Sequence, residues 1–190
     1  MIESIRNAVG DSLRLKQSFF AANEDKIAAL ACALCKTLEN GSKVLLFGNG
    51  GSAADAQHIA AEFVGRFMRE RRPLPAIALT TDTSILTSVG NDYGYEHVFE
   101  RQVRALGRPG DLAIGISTSG NSPNVCLAIE AARDLGLITV GFTGGDGGRL
   151  GTQVQHHLHV PHKSAARVQE VHIMIGHILC QLMDENLKGL

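Results

Sequence analysis

The sequence predicts a three-layer α/β/α fold around a five-stranded parallel sheet, preceded by two N-terminal helices. Two observations predict it. Short runs rich in Val, Ile and Leu recur near 43–47, 76–79, 112–116, 138–143 and 158–160, and each is followed by a segment of helical character. The exits of the first and third runs, Gly48-Asn-Gly-Gly-Ser52 and Ser117-Thr-Ser-Gly-Asn-Ser122, are its most polar glycine-containing loops. Parallel sheets bind ligands beyond the carboxyl ends of their strands, where the winding reverses. With the flavodoxin-like order 2-1-3-4-5, those two loops flank that point.

The elements follow in order. Ile5, Val9, Leu13 and Phe20 lie at near-helical spacing in residues 2–21. Asn23 is placed to cap a second helix whose apolar stripe is Ile27, Leu30, Ala31, Leu34, Cys35 and Leu38. Asn40-Gly41 ends it. Two helices exceed what one side of a small sheet needs, so one is expected to pack against another subunit. The first strand leads through a glycine turn to a helix from Ser52 to about Arg69. Pro73 and Pro75 bracket a turn before the second strand. Thr80-Thr-Asp-Thr83 opens a helix through Val89, Asn91–Tyr95 is a loop, and a short helix follows from about Glu96 to Ala105. After the third strand, a helix ends at Leu135-Gly136. The fourth strand precedes a glycine loop with a short helix near Leu150. A final helix covers about 166–187. The whole is expected to be one domain over 1–190, with a helical pair at 1–41 and the α/β core at 42–190.

Composition narrows the partners. The formal net charge is −1, which gives no reason to expect nucleic acid or a charged membrane surface. No apolar run approaches the ~20 residues of a membrane span. Met1-Ile-Glu-Ser-Ile-Arg6 is an amphipathic helix start without the apolar core of a signal peptide, so a cytoplasmic protein is expected. Cys32 and Cys35 form a C-x-x-C inside a helical pattern, where two small core residues are the simpler reading than redox or metal chemistry.

Three polar features carry chemistry. The strand–glycine turn–helix unit at Val44–Glu62 places Ser52 as an N-cap and presents backbone amides to an anionic or polyhydroxylated ligand. It formally fits G-x-G-x-x-A, but the acidic residue required about 20 positions later would be Asp82, too far along for a dinucleotide site. His58 and Glu62, spaced i,i+4, project from one helix face and can serve a metal or an ordinary surface pair. Ser117-Thr-Ser-Gly-Asn-Ser122 holds four hydroxyls within six residues and no lysine. That suits a single phosphate monoester held by neutral hydrogen bonds, beyond what an N-capped turn requires.

With Gly48-Asn-Gly-Gly-Ser52, Asp55-Ala-Gln-His58, Glu62, Asn91-Asp92, Ser117–Ser122 and Arg167-Val-Gln-Glu-Val-His172 in view, the chain resembles the SIS (sugar isomerase) domain family. Within it, the phosphoheptose isomerases are similar over nearly the full length. The resemblance implies conversion of sedoheptulose 7-phosphate to D-glycero-D-manno-heptose 7-phosphate, the first step toward ADP- or GDP-heptose for lipopolysaccharide or a related surface glycan. It implies a homotetramer with active sites between subunits, and one zinc per subunit. By motif, it assigns the sugar to Asn49, Gly50, Gly51, Ser52, Asn91 and Asp92, and the phosphate to Ser117, Thr118, Ser119 and Ser122. His58, Glu62, Gln169 and His177 match zinc-binding positions. Glu62 and His177 match the acid–base pair, and Glu62 and Gln169 also belong to the implied substrate site.

Gln169 and His177 are eight positions apart, roughly 12 Å of helical rise, so one helix copy is not expected to bring both to one ion. Either two subunits complete each site or one of the two does not ligate. His172 is a spatial substitute but reads as structural. His156, His157, His159 and His162 are expected on a solvated strand and loop. Ala166 stands where some family members have Asp. A non-catalytic SIS adaptor binding the replication initiator DnaA is the alternative, as is a sugar-phosphate sensor. The adaptor has no chemical use for Glu62, His177 and the intact Ser117-Thr-Ser119, and the sensor is expected to regulate an attached domain, for which no residues are left over.

Overall fold

A computed structural model describes residues 1–187; positions 188–190 of the expected domain lie outside the described residues. The sheet is five-stranded and all parallel, in the expected order. Its strands are β1 (Val44–Gly48), β2 (Ala76–Ala78), β3 (Leu112–Ser117), β4 (Ile138–Thr143) and β5 (His156–His159). The helices are α1 (Ile2–Glu39), α2 (Gly51–Val64), α3 (Thr83–Tyr93), α4 (Glu100–Leu106), α5 (Pro123–Asp134), α6 (Gly148–Gly151) and α7 (Ala165–Asn186). Side chains alternate across the sheet. Val44, Leu46, Ile114, Ile116, Val140 and Phe142 point into a core shared with α1, α2 and α7. Leu45, Phe47 and Ala113 point into a second core with Phe99, Val103, Val125 and Ile129 of the opposite layer.

Several boundaries differ from expectation, each for a local reason. The expected N-terminal pair is present, its two helices running together as α1 across a kink at Asn23 (φ −131°, ψ 15°). Asn23 caps no second helix; its Nδ2 donates back to Phe19 O at 2.8 Å. Ser52 is not the N-cap of α2. Gly50 is, with φ 55°, and Ser52 is buried in the first turn. α2 stops at Val64 instead of Arg69, because the Arg71 guanidinium takes the carbonyls of Glu62 and Phe63 that a further turn would have used. α3 starts later than expected, since Asp82 Oδ1 accepts from Ile85 N. It runs on to Tyr93, so Asn91 and Asp92 occupy its last turn and not a loop. β5 begins at His156, two residues early. Its three histidines are half-buried in the sheet, and His157 Nε2 lies 2.7 Å from Thr143 Oγ1.

Candidate active site

The site is built on two helices that run parallel. Going along α2 and α7 together, Gly51 meets Gln169, Ile59 meets Gly176, and His58 meets His177. Just past α2, the Met68 amide meets Asp184. The close approach at the start suits glycine, because a Cβ on Gly51 would push the Gln169 amide aside.

Three of the expected residues meet midway along this seam within one chain. His58 Nε2 lies 3.1 Å from His177 Nε2 and 3.3 Å from Glu62 Oε1. Phe67 stacks on the His177 ring, with centroids 5.6 Å apart at 26°. Gln169 is not with them. It lies at the N-terminal end of α2, over Gly51 and against Asp55. The separation of Gln169 from His177 along α7 is thus the one that helical rise anticipates. Among the described residues, no group of three or more His, Cys, Asp or Glu is arranged as a ready metal site.

Asp55 went unassigned in the sequence. It is buried, and its Oδ2 has no hydrogen-bond partner among the described residues. Burial pushes its carboxyl above the usual carboxylate range, against the opposing pull of the Gln169 hydrogen bond and nearby His58. The spacing Asp55–His58–Glu62, three and four residues, was the signal that it shares their face.

The second loop gathers its hydroxyls. Ser117 Oγ lies 2.9 Å from Ser122 Oγ and 3.4 Å from Ser119 Oγ. The Asn121 amide donates to Ser119 Oγ. Ser122 is the N-cap of α5, yet its hydroxyl makes no capping bond and turns to Ser117 instead. Thr118 and Ser119 line a cavity of about 650 Å³ with Asp146, His162 and Lys163.

The two loops are joined at the switch point by a reciprocal amide pair: Asn49 Nδ2 to Asn124 Oδ1 and Asn124 Nδ2 to Asn49 Oδ1, both 2.8 Å. Asn124, buried and unremarked in the sequence, fixes the Asn49 side chain. Asn49, Ser122 and Asn124 line a cavity of about 260 Å³ there with Tyr95 and Glu96. Asn91 and Asp92 stand apart, exposed at the end of α3 and hydrogen-bonded to each other.

His172 is fully buried and faces the sheet instead of the polar seam. Its Nε2 lies 3.1 Å from Thr143 O, and desolvation brings its pKa down to about 4 despite that bond.

Known proteins share both sequence and architecture. A sequence model of the SIS domain matches residues 9–144. A phosphoheptose isomerase of Aquifex aeolicus is 55% identical over 185 residues, 97% of each chain. Another, from Nitratidesulfovibrio vulgaris, is 56% identical over 177 residues, 93% of this chain and 85% of its own. The structure of a phosphoheptose isomerase from Neisseria gonorrhoeae superposes with a TM-score of 0.92 at 45% identity, covering 97% of this chain and 98% of that one. The chain belongs to the SIS domain family and, within it, to the phosphoheptose isomerases.

Proposed function

We propose that this chain isomerises sedoheptulose 7-phosphate to D-glycero-D-manno-heptose 7-phosphate, with Glu62 and His177 as the acid–base pair. The observation that carries this is the meeting of Glu62, His58 and His177 on the α2–α7 seam, with the hydroxyl loop at the neighbouring strand exit. Ketose-to-aldose exchange removes a proton from C1, passes through an enediolate and returns a proton at C2, while a second proton moves between O2 and O1. We assign the carbon-bound proton to the Glu62 carboxylate and the oxygen-bound proton to the His177 imidazole. The Ser117, Thr118, Ser119 and Ser122 hydroxyls hold the phosphate. The glycine turn and its Asn49 side chain hold the sugar.

One zinc per subunit belongs to the same proposal. Donors bonded to one tetrahedral zinc at ~2.0–2.1 Å lie roughly 3.3 Å apart, close to the His58–His177 and His58–Glu62 separations. These three side chains are not arranged as a ready metal site, so His58, Glu62 and His177 would have to close on the ion to hold it, and when bound it would polarise the substrate carbonyl. Gln169, two turns away, then serves the sugar in its own subunit or the ion across a subunit boundary.

A homotetramer is also proposed. Ile2, Ile5, Val9 and Leu13 form one stripe of α1, each more than half exposed in the single chain. A contiguous apolar stripe of this kind suits burial against another subunit. A cytoplasmic setting agrees with four free cysteines, and no helix among the described residues is long and apolar enough to cross a membrane. The DnaA-adaptor alternative finds no support among the relatives.

The test is turnover of sedoheptulose 7-phosphate by the purified protein as isolated, after chelation, and after return of zinc. Product formation lost on chelation and restored by zinc supports the full reading. Turnover that survives thorough chelation removes zinc from it, and no turnover by folded protein in any state overturns it.

A further inference from the structure

We propose that the loop after α2, residues 65–72, is a positioning clamp that sets the His177 ring against the His58–Glu62 pair. It rests on the acid–base pair proposed above. Glu62 and His177 stand on different helices, so their separation depends on how α2 and α7 are held in register. Arg71 spans both. Its side chain is 1% exposed. Nη2 donates to Glu62 O and Nη1 to Phe63 O, both at 2.8 Å. Nε donates to Asp184 Oδ1 on α7 at 2.7 Å. One guanidinium therefore ties the backbone of Glu62 to the helix that carries His177.

The loop backbone is fixed at the same carboxylate. Asp184 Oδ2 accepts from the amides of Met68 and Arg69 at 2.8 and 3.1 Å. This pins the segment on either side of Phe67, whose ring lies against His177. The His177 ring is thus contacted by both Phe67 and His58.

Energetics favour a geometric role. A buried ion pair adds little net stability over apolar residues of the same volume. What it supplies is direction: a planar fork that satisfies four acceptors at once, Arg72 O being the fourth at 3.3 Å, which a lysine cannot reproduce. A displacement of about 1 Å at a reacting group can cost on the order of 10²-fold in rate, so register is where such a clamp acts.

The test compares Phe67→Leu, Phe67→Tyr, Arg71→Lys and Glu62→Gln in steady-state kinetics with sedoheptulose 7-phosphate and in thermal unfolding. We expect Phe67→Leu and Arg71→Lys to lose roughly 10- to 100-fold in kcat with KM within about twofold. We expect Phe67→Leu to keep its melting temperature and Phe67→Tyr, which retains the ring, to recover kcat. Wild-type kcat in Phe67→Leu, or equal losses in the Leu and Tyr variants, overturns the clamp. If Arg71→Lys does not fold, the Phe67 pair decides alone. An inactive Glu62→Gln beside a fully active Phe67→Leu refutes the clamp and leaves the acid–base pair standing. A fully active Glu62→Gln refutes both.

Discussion

His172 makes acid stability a quantitative test of the fold. The ring is fully buried, and its Nε2 faces the Thr143 carbonyl. A carbonyl oxygen only accepts, so Nε2 carries the hydrogen and Nδ1 is left with a lone pair and no partner. Desolvation lowers the folded pKa from 6.5 to about 4. The unfolded chain therefore binds the extra proton first as pH falls. The contribution is present above the unfolded pKa and is lost as pH drops through the folded one. The whole shift is worth about 3 kcal/mol per chain, of which about 2 kcal/mol disappears between pH 7 and pH 5. Other histidines add to the same slope, since burial, His159 and Lys26 also lower the pKa of His157. The comparison that isolates His172 is with His172→Leu. Thr143 O keeps the Val160 amide as a donor, so the substitution strands no carbonyl and removes one unpartnered nitrogen. Urea unfolding at fixed protein concentration, at pH 7 and pH 5, measures both proteins. Wild type should lose about 2 kcal/mol more than the variant over that interval. Equal losses would refute the assignment of a buried neutral imidazole.

Other substitutions probe the α2–α7 seam and the α1 stripe. Gly51→Ala should displace Gln169 and lower kcat/KM by about tenfold or more, with little change in melting temperature, because Gly51 does not have a positive φ. Steady-state kinetics beside a melting curve checks it. Gly176→Ala places a Cβ 2.5 Å from Ile59 Cδ1, and should destabilise the protein by about 1–3 kcal/mol in denaturant titration. Leu13→Asp puts a charge in the exposed α1 stripe. Sedimentation velocity should then show species smaller than the proposed tetramer, whereas the same assembly as wild type would remove this stripe from the interface.

The strands and both polar loops were readable because they depend on local pattern. Each apolar run is bounded by turn residues, and the serines and glycines stand at the strand exits themselves. The joining of His58 with Glu62 needed only i,i+4 spacing. What escaped was set by contacts distant in the chain. The stop of α2 depends on Arg71, and Arg71 on Asp184, 113 residues further along. The role of Asn124 depends on Asn49, 75 residues away. The kink at Asn23 was marked by the right residue but misread in kind, since a side chain able to cap a new helix can equally bond back to the preceding turn. Gln169 and His177 show the reverse case. Helical rise alone foretold that one copy of α7 would keep them apart.

The most direct measurement follows sedoheptulose 7-phosphate by NMR in deuterated buffer, with wild type and a Glu62→Gln variant shown to fold alike. Proton transfer through an enediolate predicts deuterium at C2 of the heptose product from wild type. It also predicts a loss of about 10²-fold or more in the variant. Wild-type turnover by Glu62→Gln would contradict the assignment of the carbon-bound proton to this carboxylate.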